Sequence, residues 1–202
     1  MRSLAVDSKG NLSIVNISMP GYNDCQALVK ILSSGVCNGT DSKLISNSFK
    51  NMDNYPMLLG HEAVGEVIEV GKKVTSFKIG DIVLLPFLYD EIDGYFPGWG
   101  GFSEYAVVGD WKAYEENGMG EGTSEFSEGF YAQKIIKMTE KINPINAAMI
   151  ITFREVLSAM KRFGFKENSS VVIFGAGPVG QCFIQFSKLL GLKDVFSIDI
   201  ND

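Results

Sequence analysis

Over roughly the first 110 residues, apolar positions come in short alternating or continuous runs. These are Leu12–Ile17, Ala27–Leu32, Ala63–Val70, Asp81–Leu85 and Phe102–Val108. Such runs are too short for helices and of the right length for strands. Glycines at 60, 65, 71, 80 and 101 punctuate them, as a small barrel with bent strands and tight turns requires. The pattern then dissolves. Between Trp111 and Phe130, Gly118, Gly120, Gly122 and Gly129 alternate with Glu115, Glu116, Glu121, Glu125 and Glu128, which predicts an exposed, mobile lobe with a solvated acidic face. From Asn143 the period becomes helical. Asn143-Pro144 reads as a cap and first turn, and Ala147–Phe163 as a buried connecting helix stopped by Gly164. A buried strand follows at Val171–Phe174, then a glycine turn, a helix over Val179–Leu190 and a second strand, Val195–Ile198. The reading is therefore mixed β and α/β: a β-barrel domain over 1–145, then a connecting helix and one β-α-β unit over 146–202.

The glycine turn carries the first candidate chemistry. In Gly175-Ala176-Gly177-Pro178-Val179-Gly180, the first glycine permits the tight exit from the strand. Gly177 lets backbone approach a pyrophosphate, and Gly180 lets the helix pack closely on its strand. The unpaired amides of the helix start, in the turn that holds Pro178 and Val179, face the phosphates. The second strand ends at Asp199, about 20 residues on, where an acid can accept hydrogen bonds from both ribose hydroxyls. Its charge repels a 2′-phosphate, so NAD is favoured over NADP. A coincidental glycine turn and a solvated strand-end acid are the bland alternatives.

Composition narrows the partners. The chain has 202 residues, 46% hydrophobic and 21% charged, with net charge −6 and no basic run to attract nucleic acid. No apolar stretch reaches membrane-spanning length, and Met1–Asp7 lacks the apolar core of a signal peptide. Cys25, Cys37 and Cys182 are an odd number at wide spacing, which fits a reducing compartment. A cytoplasmic location is expected. No Cys-x-x-Cys pair exists, so a four-cysteine structural zinc site is excluded.

The second constellation surrounds the only histidine. His61 lies in Leu59-Gly60-His61-Glu62, and Cys37-Asn38-Gly39-Thr40-Asp41 lies upstream. Thiolate, imidazole and carboxylate are donors that zinc accepts, and a catalytic zinc needs three of them plus an open position. Alone, His61 reads as incidental and Cys37 as a buried apolar residue. Together they are more specific.

With these motifs the chain resembles the medium-chain dehydrogenase/reductase family, in its zinc-type alcohol and polyol dehydrogenase branch. The resemblance rests on Cys37–Asp41, Gly60-His61-Glu62 with its following glycines, Gly101-Phe102-Ser103-Glu104-Tyr105, and Gly175–Gly180. It implies a GroES-like catalytic barrel followed by the first β-α-β unit of a Rossmann-type sheet. It also implies that Cys37 and His61 ligate a catalytic Zn2+, with Glu62 beside them and Asp41 supporting a ligand. Thr40 would hydrogen-bond the substrate alcohol and begin the proton relay, while hydride passes to the nicotinamide. The implied reaction interconverts a small secondary alcohol or polyol and its ketone.

Three departures from that pattern stand out. The polyol branch places a glutamate ligand where this chain has Ile151, which cannot bind a metal. Glu155 lies one helical turn later, but Glu62 is nearer the other donors in sequence and is the preferred third ligand. The lobe that holds a structural zinc in many relatives has no cysteines here, and the glycine- and acid-rich stretch 111–130 after the barrel strands reads as a family-specific insertion. Ser42 and Lys43 stand where some relatives have a relay histidine, so proton exit depends on water or ribose hydroxyls. Members of the family continue through further strands of the nucleotide sheet. The expectation is accordingly an incomplete chain holding the adenosine end of the cofactor site, with weak NAD affinity and little turnover of its own. Any homo-oligomer is expected to use a contact other than the family's usual late-strand one. Two other classes compete: a non-catalytic metal- or partner-binding barrel, and a zinc-independent quinone-type reductase, which would lack the Cys37–His61 pair.

Overall fold

A computed structural model describes residues 1–120 and 142–201 of the chain. The chain divides after Ala148 into two units, Met1–Ala148 and Met149–Asp202.

The first unit is built on two four-stranded sheets. One has the order β2-β1-β4-β7, from β1 (Arg2–Val6), β2 (Leu12–Asn16), β4 (Met57–Leu58) and β7 (Phe96–Pro97). The other has the order β6-β5-β3-β8, from β3 (Gln26–Gly35), β5 (Glu62–Val70), β6 (Ile82–Leu84) and β8 (Tyr105–Gly109). Irregular register in the β3–β5 pairing, at Leu28/Val29 and Ile31/Ser33, bends that pair. Isolated bridges Ser3–Ser103 and Phe87–Val107 attach two segments outside the named strands to β1 and β8. The barrel character read from the sequence is thus present.

Among the described residues of this unit, buried apolar side chains pack in several groups. Ala27, Val29, Val67, Phe77, Val83 and Val108 pack together, as do Ala5, Ile17, Leu58, Leu88 and Ala106. A third group, Val6, Leu44, Met57 and Leu59, lies against Phe49, Trp99 and Phe102. Leu44 belongs to a helix the apolar pattern did not predict, α1 (Asn38–Ile45), in which Asp41 and Leu44 are the buried residues.

The region after β8 departs from the exposed lobe expected there. Trp111–Glu116 forms helix α2, with Ala113 and Tyr114 buried against Cys25. Asp110 caps it, accepting from the N–H groups of Lys112 and Ala113. The rest of that expected lobe, 121–130, falls outside the described residues. At the end of this unit, Asn143 caps α3 (Pro144–Ala147) by accepting from the Ile145 N–H, as the Asn-Pro pair foretells.

The second unit contains α4 (Met149–Phe163), β9 (Ser170–Phe174), α5 (Pro178–Leu189) and β10 (Asp194–Ile198). The strands pair in parallel, β10 beside β9. Val156, Met160 and Cys182 form its core with Phe165, Phe183 and Phe186. Two expectations of burial need correction. Helix α4 is amphipathic: Ile151, Val156 and Met160 are buried, but Met149, Phe153 and Phe163 are exposed. Strand β9 is open on one face, because two strands with a single crossover helix cover one side only. Val172 and Phe174 share the open face with their cross-strand partners Phe196 and Ile198, and Phe174 is 82% exposed.

Candidate active site

Cys37 stands at the N-cap of α1, its backbone extended before the first turn. Its carbonyl accepts the N–H groups of Thr40 (3.2 Å) and Asp41 (2.9 Å). Asp41 returns the contact, its Oδ2 accepting the Cys37 N–H at 2.9 Å. The aspartate thus fixes the backbone that carries the thiol. Its other oxygen, Oδ1, lies 3.4 Å from His61 Nδ1. Both atoms are buried, and neither has a hydrogen-bond partner among the described residues. A proton on Nδ1 facing that carboxylate leaves Nε2 as the lone pair available to a metal.

His61 and Glu62 arrive together at the entry of β5. Gly60 there adopts a positive φ of 100°, and its carbonyl is held by the Gly101 N–H at 2.7 Å. Glu62 pairs in register with Gly35, the last residue of β3, two positions before Cys37. Gly35 matters for its missing side chain: a Cβ there would lie 2.6 Å from Glu62 Oε2. Ligand atoms of Cys37, His61 and Glu62 all lie within 4.8 Å of one another, and all three residues are half-buried. Zinc bonds of about 2.0–2.3 Å bring such atoms to under about 4 Å, a small side-chain rotation from this arrangement. Among the described residues this is the group that offers three donors to one ion. The donor set and the orphaned Asp41–His61 pair both fit a zinc ion.

Thr40 is half-buried in the first turn of α1, next to Asp41. Beside the cluster, the Trp99 ring centroid is 5.3 Å from that of His61 and 5.7 Å from that of Phe49, edge-on to the latter. The residues proposed from the family's third-ligand position lie in the second unit: Ile151 is buried and offers no donor, and Glu155 is exposed on α4.

The glycine turn of the second unit has the geometry its residues require. Gly175 takes φ 104°, and its N–H donates to Ile198 O at 2.7 Å, tying the turn to β10. A Cβ on Gly180 would lie 2.0 Å from Gly175 O, so only glycine allows this approach of helix to strand. A Cβ on Gly177 would meet nothing within 4 Å, which leaves its backbone open to a ligand. Pro178 opens α5, and the first intrahelical bond runs from Gln181 N to Gly177 O. The N–H groups of Val179 and Gly180 therefore precede the helical ladder. Asp199 reaches back from the end of β10, its Oδ2 accepting the Ala176 N–H at 2.6 Å and its Oδ1 the Asn201 N–H at 2.9 Å. The Ala176 bond foremost, then that from Asn201, holds its carboxyl below the usual carboxylate range. These features fit the adenosine end of a dinucleotide.

Sequence reasoning missed Gly35 as part of the site, because its role depends on which residue of β5 it faces. The contact of Trp99 with His61 had no sequence signal either.

Residues 23–116 match the alcohol dehydrogenase GroES-like domain family. The chain is 31% identical to cinnamyl alcohol dehydrogenase 1 of Capsicum annuum, covering 93% of this chain and 53% of that one. An alcohol dehydrogenase of Geobacillus stearothermophilus is 30% identical over 96% of this chain and 56% of its own length. Among solved structures, galactitol-1-phosphate dehydrogenase from Escherichia coli superposes with a TM-score of 0.75 at 27% identity, over 100% of this chain and 56% of that one. Over residues 23–116 the chain carries an alcohol dehydrogenase GroES-like domain, and over nearly its whole length it is similar to alcohol dehydrogenases. It spans about half the length of the curated family members it matches. The family's GroES-like domain corresponds to the barrel unit that carries Cys37, His61 and Glu62.

Proposed function

We propose that this chain carries the metal centre and the adenosine end of the cofactor site of a zinc-dependent, NAD-linked dehydrogenase. Its substrate class is a small secondary alcohol or polyol, interconverted with the ketone. The observation that supports this most strongly is the convergence of Cys37, His61 and Glu62 on one point, braced by Asp41. When bound, zinc supplies a Lewis acid that lowers the pKa of the substrate hydroxyl. The chain's own residues do the rest. Cys37, His61 and Glu62 hold the ion, and Asp41 orients the thiol-bearing backbone and the imidazole. The Thr40 hydroxyl would accept the substrate proton and pass its own outward to water, since Ser42 and Lys43 offer no imidazole relay. Asp199, kept ionised, receives the adenosine ribose hydroxyls and disfavours a 2′-phosphate, which supports NAD over NADP. Three free cysteines and the absence of any paired ones among the described residues favour the reducing cytoplasm.

Metal analysis on the intact chain tests the reading. One zinc per chain is expected, falling to a small fraction in Cys37→Ser and in His61→Ala. Retention of the metal in both variants overturns the site. A second reading, a metal-binding barrel without turnover, is favoured by Ile151, which offers no donor at the family's third-ligand position. Binding of a secondary alcohol to the cobalt-loaded chain separates the two: a change in the thiolate-to-cobalt absorption that is lost in Thr40→Val supports the dehydrogenase.

A further inference from the structure

We infer that Trp99 is a positioning residue for the metal centre: its indole packs on the His61 imidazole and holds that ring at the angle that aims its ligand nitrogen at Cys37 and Glu62. The inference rests on the metal reading above and extends it to a residue that ligates nothing. Its first support is backbone conformation. Trp99 has φ 68°, in the left-handed region that bulky side chains avoid. Such strain persists only where the surroundings over-determine it. Here they do. The Trp99 carbonyl accepts the Leu88 N–H at 2.8 Å, and the Gly100 N–H donates to Leu58 O at 3.2 Å. Gly98 and Gly100 press against Met57 and Leu88 so closely that a Cβ on either would overlap them. The backbone is pinned on both sides of the tryptophan. A glycine would satisfy that conformation without strain, yet the position carries the largest side chain.

The second support is where that side chain goes. The left-handed backbone directs the indole onto His61, centroids 5.3 Å apart and planes tilted by 49°, while Phe49 braces the indole from another side at 86°. On the imidazole's Nδ1 side stands the Asp41 carboxylate at 3.4 Å. The imidazole therefore has a carboxylate 3.4 Å from one nitrogen and an aromatic ring packed across its face. Outer partners of this kind typically alter metal affinity by about 10–100-fold when removed.

The test uses Co2+ as the probe, in the intact chain carrying Trp111→Phe so that Trp99 is the only tryptophan. Thiolate-to-cobalt absorption reports loading of the centre, and tryptophan emission reports the indole beside it. The expected result is that cobalt loading quenches most of the Trp99 emission, with the same midpoint as the absorption band. Replacing the indole by Trp99→Gly, which relieves the backbone, should weaken cobalt binding about 10–100-fold, and Trp99→Phe should restore it to within a few-fold. Unchanged affinity in Trp99→Gly, or emission that ignores a fully formed cobalt band, overturns the positioning role and leaves the metal site standing. If Trp99→Gly does not fold, the emission arm and Trp99→Phe decide the matter alone. Absence of the thiolate band in the parent protein overturns both the metal reading and this inference, a pattern distinct from the preceding ones.

Discussion

Asp41 is the residue on which the proposed metal centre turns, since one carboxylate holds the Cys37 backbone and faces the His61 ring. Asp41→Asn keeps the shape but weakens both roles, and cobalt affinity should fall about 10–100-fold although no ligand is lost. Gly35 tests the third donor separately. Its added methyl in Gly35→Ala would meet the far end of the Glu62 side chain, which can move aside without disturbing the sheet. The thermal midpoint should therefore change by only a few degrees while metal affinity drops at least several-fold, as read by competition with a chelator. Undiminished affinity in Gly35→Ala points to a third ligand other than Glu62. The three candidate donors that the fold brings together were legible in the sequence because cysteine, histidine and glutamate are chemically conspicuous. Gly35 and Trp99 were not, because their roles follow from a strand register and a backbone angle that no residue type announces.

Among the elements, α2 shows how much of a helix can rest on one acid. Asp110 accepts from Lys112 and Ala113 at the helix start and also from the Thr75 N–H, the Ser76 N–H and the Ser76 hydroxyl. Burial pushes its carboxyl up, but the hydrogen bonds from Ser76 and Thr75, with that of Ala113, outweigh it and leave the group below the usual carboxylate range. Because the folded value is lowered, its contribution is complete above the ordinary carboxylate range and is lost as pH falls through the folded value. Asp110→Ala should destabilise the chain by about 3 kcal/mol at neutral pH by leaving these donors unpaired. In chemical denaturation the gap to the parent protein should narrow below about pH 4. A gap independent of pH contradicts this account. Gly180→Ala places a methyl against the Gly175 carbonyl and should destabilise the second unit by about 1–3 kcal/mol, measured by local amide exchange. Strands β3, β5 and β8 were readable because each has a long apolar run. Strands β4 and β7, of two residues each, carry too little pattern. Helices α1 and α2 were missed because they bury two residues apiece and depend on Asp41 and Asp110 rather than on an apolar stripe.

At the scale of the whole molecule, the two units differ in how well they enclose their cores. The barrel buries Val29, Val64, Val67 and Val83 completely, whereas the parallel pair exposes Phe174, Phe196 and Ile198 on one face. A two-stranded sheet is marginal in water. Amide exchange in β9 and β10 should therefore be orders of magnitude faster than in β3 and β5, and equal protection in both would contradict this. No helix among the described residues is long and apolar enough to cross a membrane. The order of barrel, helix and β-α-β unit was legible because each segment keeps one hydrophobic period over many residues. The open sheet face was not, because a strand meant for cover on both sides reads the same when one side is bare.

If Cys37, His61 and Glu62 form one metal centre, cobalt titration followed by thiolate absorption should reveal it. One Co2+ per chain is expected, with an intense thiolate band, the band lost in Cys37→Ser and binding at least about 100-fold weaker in His61→Ala. A full equivalent of cobalt bound by the Cys37→Ser, His61→Ala double variant, or no thiolate band in the parent chain, would contradict it.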